Sequence, residues 1–273
     1  MGTTCGYGGG MACALNANFY GNGTQTLVLS HGFGTDQTVW HYLIPFLACY
    51  FKVLVFDLAF TPNVNSTLYD SKKYSNFDGY AHDLVSLLDE LNLNKTIYVG
   101  HSMSAMIGCI AATRKPQLFE HLVLLGGSPR YQNEEGYEGG FNEPKLDEIF
   151  ESISKNFSKW AHSFAPDAVG VNNPSAVSEF EHSLLRMNPS IALEVAKTIF
   201  LSDLRTILPQ VHVPCTIIQT KNDTIVPVSV ASYMKKNLGT HSEVKILQTQ
   251  GHFPQLTAYC LLLKVLRDSL FVK

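Results

Sequence analysis

Short apolar runs recur along the chain and alternate with stretches whose apolar residues repeat at helical spacing. The runs are Leu27–Leu29, Val53–Phe56, Thr96–Val99, Leu122–Leu125, Cys215–Ile218 and Val244–Leu247. Most are apolar at successive positions, so both faces of each strand avoid water, as in a parallel sheet covered on each side. Between them, Tyr80, Leu84, Leu87, Leu88 and Leu91 fall on one helical stripe, as do Leu256, Tyr259, Leu263, Leu266 and Leu270 near the C-terminus. Alternation of this kind predicts βαβ units and an α/β fold built on a mostly parallel, doubly wound sheet.

The alternation stops between about residues 131 and 210. Three helical patterns occupy that stretch, over 143–160, 175–187 and 189–200, and no strand pattern interrupts them. Pro166, Pro174 and Pro189 punctuate it, and each favours a break at or just before its own position. An all-helical insertion between sheet strands predicts a cap over one edge of the sheet. The expected organisation is a flexible N-terminal extension over 1–12 and a single domain over 13–273, with the cap inserted at about 131–210.

Composition narrows the functional classes. The 273 residues are 45% hydrophobic and 16% charged, enough for one large core, and the formal net charge is −3. With no run of lysines or arginines, neither nucleic acid nor an anionic membrane surface is an expected partner. The six cysteines contain no C-x-x-C pair and read as reduced, mostly buried thiols. No secretory signal and no membrane-spanning run is present, so the protein is expected to be soluble, intracellular and monomeric. The five N-x-[ST] sequons, at Asn22, Asn65, Asn94, Asn156 and Asn222, then read as chance matches. The Gly-rich start offers Cys5 for acylation, but Gly6 stands where a myristoylation motif has Ser or Thr.

The decisive segment is Ile97-Tyr98-Val99-Gly100-His101-Ser102-Met103-Ser104, followed by the helical positions Met106, Ile107 and Ile110. A strand running through a small-residue turn into a helix is the nucleophile elbow, normally G-x-S-x-G, with Ser104 here in the last position. The turn strains the serine backbone and lifts its hydroxyl above the sheet edge. A serine needs a base, and the base needs an orienting carboxylate. Asp223 follows the Cys215 strand and His252 follows the Val244 strand, in the chain order Ser, acid, His. Singly, Asp223 reads as a turn residue and His252 as a surface-loop histidine; the three in order predict a catalytic triad. The oxyanion hole is expected from the backbone N–H groups of Met103 and of Phe33, the latter in the Ser30-His31-Gly32-Phe33-Gly34 loop. No paired metal-ligand spacing and no G-x-G-x-x-G after a strand occurs, so no metal and no cofactor is expected.

Several strings resemble one family, the plant strigolactone and karrikin receptors with their bacterial stress-signalling relative. They are Gly32-Phe33-Gly34-Thr35-Asp36-Gln37-Thr38-Val39-Trp40, Gly100 through Gly108 with its final serine, Ser128-Pro129-Arg130-Tyr131, Gly139-Gly140-Phe141, Phe164-Ala165-Pro166, and Gly251 through Leu256. The resemblance runs from about Asn16 to the C-terminus. It implies an α/β-hydrolase fold and a receptor that is also a slow serine hydrolase, holding a butenolide lactone under a four-helix cap. It further implies that the histidine retains a ligand fragment, that the cap rearranges to recruit an F-box protein and a transcriptional repressor, and that the protein works in the cytoplasm and nucleus. Carried over by motif, the pocket would be lined by Phe33, Tyr131, Phe141, Phe164, Phe180 and Phe200.

One segment departs from the family. Where the receptors carry a Gly-rich D-x-M-G-A-G turn, this chain reads Asp57-Leu58-Ala59-Phe60-Thr61-Pro62-Asn63. That loop and the N-terminal extension resemble the family's divergent third branch of receptor-like paralogues. Two other functions compete: a metabolic esterase acting on a small apolar ester, and a binding protein with a vestigial triad, against which the intact Ser102, Asp223 and His252 stand.

Overall fold

A computed structural model describes residues 2–3 and 10–270. Its strands are β1 (Gly2–Thr3), β2 (Asn18–Tyr20), β3 (Thr26–Ser30), β4 (Lys52–Phe56), β5 (Thr96–His101), β6 (Phe119–Leu125), β7 (Cys215–Asn222) and β8 (Ser242–Gln250). Its helices are α1 (Met11–Ala14), α2 (Ile44–Leu47), α3 (Phe77–Glu90), α4 (Met103–Arg114), α5 (Glu143–Lys155), α6 (Phe157–Val169), α7 (Pro174–Leu185), α8 (Pro189–Phe200), α9 (Val228–Asn237), α10 (Pro254–Thr257) and α11 (Tyr259–Leu270).

The strands form one sheet in the order β1-β2-β4-β3-β5-β6-β7-β8. From β4 to β8 every pairing is parallel, while β1 and β2 add an antiparallel edge. All of β3 and β5 is buried, which is why those strands lack the alternating pattern of a one-sided sheet. Strand β2 has no such signal, because its three residues are only half-buried and lean on β4 at one edge.

Parts of the stretch expected as a flexible extension take regular structure. Gly2–Thr3 pairs with β2, and the first N–H groups of α1 reach the Glu90 carboxylate. Met1 and residues 4–9, including Cys5, lie outside the described residues. The thiol expectation needs correction: Cys13 is disulfide-bonded, and of the free cysteines Cys109 and Cys215 are buried while Cys49 and Cys260 are exposed.

Four helices, α5 to α8, make the insertion, where the periodicity predicted three. The stretch over 143–160 divides at Asn156, which ends α5 and whose side chain accepts the Lys159 N–H to start α6. Pro174 and Pro189 open their helices at the first turn, where a missing N–H costs nothing. Pro166 does not break the chain, contrary to expectation. It lies inside α6, one turn before the Gly170 cap, where only one helical hydrogen bond is forfeited.

Candidate active site

Ser102 sits at the junction of β5 and α4 with φ +57° and ψ −124°, a backbone conformation that L-residues rarely adopt. The surrounding structure holds it there: its N–H donates to Leu125 O at 2.8 Å and its carbonyl accepts from Ala105 N at 3.0 Å. Gly100 must lack a side chain, because a Cβ would come within 2.4 Å of the Ser104 carbonyl oxygen. Ser104, the unusual last residue of the elbow, donates its hydroxyl to the His31 carbonyl at 2.5 Å and accepts the Ser30 hydroxyl at 2.9 Å. That side chain ties the first turn of α4 to the loop carrying Phe33. From the sequence only its small size is evident.

The three loops converge. The Ser102 hydroxyl lies 2.9 Å from His252 Nε2, and His252 Nδ1 lies 2.7 Å from Asp223 Oδ2. All three side chains are buried. Asp223 Oδ1 accepts the N–H groups of Ile225 and Val226, at 2.8 and 3.2 Å, and Gln219 Nε2 donates to Oδ2 at 3.1 Å. Burial alone would raise the Asp223 pKa, but the facing His252 and these hydrogen bonds outweigh it and hold the carboxyl below its ordinary value. Gln219, which also donates to Val226 O at 3.0 Å, carries no signal in the sequence; it reads as one more strand residue until the loop folds back over it.

Met103 is the first residue of α4, and Phe33 lies in the loop after β3. Among the described residues neither of their N–H groups reaches a hydrogen-bond acceptor, so both remain available to an incoming oxygen.

Two buried histidines brace this region in the neutral form. His101 donates its Nε2–H to the His252 carbonyl at 2.8 Å; burial first, and the neighbouring His252 second, push its pKa down to about 3. His31 accepts the Leu58 N–H at Nε2, 2.9 Å, and lies 2.9 Å from Gly32 O at Nδ1; burial lowers its pKa despite the nearby Asp57. Both folded-state values lie below that of a free histidine, about 6.5, so the unfolded chain takes up protons first as the pH drops. Stability is therefore full above pH ~6.5 and falls below it, by up to about 1.4 kcal/mol per pH unit for each residue. Asp223 acts with the same sign at lower pH, through the carboxylate range. Urea midpoints measured from pH 7.5 to 5 are expected to fall steadily, with a shallower slope in His101→Gln; an identical slope would remove His101 from this account.

A small aromatic cavity covers Ser102 and His252, with Phe33, Tyr131, Phe164, Phe180, Phe200 and Phe253 in its wall, closed by Ala168, Ile199 and Ile225. Five of the six pocket residues expected from the sequence are there. Phe141 is not: it stands behind Phe200, ring centroids 5.2 Å apart, and faces an outer groove of about 390 Å³ between α5 and α6. The cavity itself is only about 20 Å³, room for one water molecule. The Tyr131 hydroxyl faces Ser102 from the cap without a hydrogen bond of acceptable geometry. The departing loop places Phe60 behind Phe33, ring centroids 6.4 Å apart, where it buttresses the cavity wall.

A serine, histidine and carboxylate in hydrogen-bonded series at the end of a doubly wound sheet, under an inserted helical cap, define an α/β hydrolase. The chain belongs to the alpha/beta hydrolase fold family, which it matches over residues 25–259, and within it to the strigolactone and karrikin receptor family. It is 45% identical over 257 residues to strigolactone esterase D14 of Arabidopsis thaliana, covering 94% of this chain and 96% of that one. It is likewise 45% identical over 254 residues to karrikin insensitive 2 receptor CA of Petunia hybrida, covering 93% and 94%. Among solved structures, a hydrolase from Oleispira antarctica superposes with a TM-score of 0.93 at 30% identity, over 96% of this chain and 97% of that one. Among the described residues no helix is long and apolar enough to cross a membrane.

Proposed function

We propose that the protein is a receptor-type serine hydrolase that binds and slowly cleaves a small apolar butenolide. The carrying observation is the Ser102–His252–Asp223 series facing a cavity with six aromatic rings in its wall. In this reading the Ser102 hydroxyl attacks the ester or lactone carbonyl while His252 Nε2 takes its proton. Asp223 holds the imidazole in the required tautomer, and the Phe33 and Met103 N–H groups receive the oxyanion. The leaving oxygen recovers the proton from His252; water then hydrolyses the acyl-Ser102 ester, or the acyl fragment passes to His252 Nε2 as its bond to Ser102 Oγ breaks and the serine oxygen regains a proton from solvent.

Ligand sites for small molecules span roughly 300–1,000 Å³, far more than the 20 Å³ found here. Entry therefore requires the cap to move, and cap movement is what a signalling partner would read. An F-box protein and a transcriptional repressor are the proposed partners, in cytoplasm and nucleus, with the protein itself monomeric. Equal identity to an esterase D14 and to a karrikin receptor favours neither ligand class over the other, and the 57–63 loop accords with a separate paralogue branch.

The test is intact-mass analysis after exposure to a synthetic methylbutenolide enol ether, with Tm measured in parallel. A butenolide-sized increment mapped to His252, together with a ligand-dependent change in Tm, is expected. No adduct and no cleavage would overturn the reading. Steady turnover of p-nitrophenyl acetate without any ligand-dependent change would instead support a metabolic esterase.

A further inference from the structure

The last turn of α6 hydrogen-bonds to both triad loops, beside the contact of the α7 ring Phe180 with Phe253, centroids 4.3 Å apart. The His252 N–H donates to the Ala168 carbonyl at 2.8 Å, and the Thr224 hydroxyl, one residue past Asp223, donates to the Asp167 carbonyl at 2.9 Å. Between these bonds two glycines meet. Gly170 ends α6 with φ +68°, and a Cβ on it would stand 2.7 Å from the Gly251 Cα. Gly251, with φ +88°, would carry a Cβ only 1.8 Å from the Val169 carbonyl oxygen. Behind it, the Thr220 hydroxyl donates to the Gly251 carbonyl at 2.8 Å, fixing the loop from the sheet side. The residue preceding the base and the residue following the acid thus lean on the same helical turn.

We propose that Asp167–Gly170 is a positioning strut for the triad, so that His252 and Asp223 take their relay geometry only while α6 is seated. The inference rests on the triad reading above and adds a consequence to it. Because the closed cavity measures only about 20 Å³, far below the roughly 300 Å³ of a small-molecule site, a ligand enters only with the cap displaced. Displacement withdraws the Ala168 and Asp167 carbonyls together, and chemistry waits until the cap returns over the ligand. Thr224 and Gly170 are positioning residues: neither lines the cavity, and each acts through the loop it holds.

The experiment follows Ser102 directly, through the rate of labelling by a fluorophosphonate probe, alongside kcat and KM for p-nitrophenyl acetate and the Tm of each variant. Gly170→Ala is expected to lower labelling and kcat by about 10-fold or more, since displacing a catalytic group by an ångström can cost 10²-fold, with KM little changed. Thr224→Val removes one exposed hydrogen bond and is expected to cost about 3-fold in kcat, with recovery in Thr224→Ser. A packing role alone would lower Tm and leave the kcat of folded protein unchanged. Folded variants that label at the wild-type rate would overturn the strut; should Gly170→Ala fail to fold, Thr224→Val against Thr224→Ser decides it. Failure of the wild type itself to label would instead remove the triad reading, and the strut with it.

Discussion

Replacing Ser102 with Ala is expected to reduce ester hydrolysis by on the order of 10⁴-fold or more, because the nucleophile and its covalent intermediate are both lost. The fold should survive. The substitution removes one methyl-sized polar group from a buried site and one hydrogen bond to His252, a cost of about 1 kcal/mol. The strained backbone at φ +57° remains, since the turn is imposed by β5 and α4 rather than by the hydroxyl. Far-UV circular dichroism and Tm should therefore match the wild type while p-nitrophenyl acetate turnover and butenolide adduct formation vanish. Continued cleavage by the folded variant would mean that another group is the nucleophile, and the reading of the elbow would fall.

Asp223→Asn should cost nearly as much, about 10⁴-fold in kcat, the loss seen when the carboxylate of other Ser-His-Asp enzymes becomes an amide. The geometry here says why. Asp223 Oδ1 accepts two backbone N–H groups, from Ile225 and Val226, so the carbonyl oxygen of an asparagine must occupy that position. Its NH₂ then points at His252 Nδ1, where Oδ2 had been, and two donors face each other. The imidazole escapes by moving its proton to Nε2, which turns the group facing Ser102 from acceptor to donor and ends its use as a base. Gln219, which donates to the same Oδ2, must also turn away. Activity within 10-fold of wild type would show that His252 is oriented without the carboxylate. The bond from the His101 side chain to the His252 carbonyl and that from the His252 N–H to the Ala168 carbonyl would then carry the orientation.

Both substitutions fall on residues that the order of motifs along the chain makes legible. The triad is readable because the fold imposes that order: a strained serine needs a strand–turn–helix context, and Asp223 and His252 each follow a strand whose apolar run is plain. The loop proposed to supply the Phe33 N–H is legible for the same reason, as a Gly-containing turn after β3. Within the cap the sequence shows helices and an excess of phenylalanine, but not which rings face the serine. Phe141 and Phe200 carry the same side chain and lie 59 positions apart. Only the docking of α8 puts Phe200 in the cavity wall and Phe141 behind it.

Local sequence determined what is decided within a few residues: the two-sided burial of β3 and β5, the helix starts at Pro174 and Pro189, and the small residues of the elbow. Each follows from backbone sterics, periodicity or a missing N–H, which do not depend on distant partners. Tertiary structure alone decided what depends on segments meeting from far apart in the chain. It set the Ser104 tie to His31, the Gln219 support of Asp223, the one-water cavity and the seating of Gly170 against Gly251. A side chain's neighbours across a packed interface are fixed by how whole elements dock, and no pattern along one segment records the shape of another.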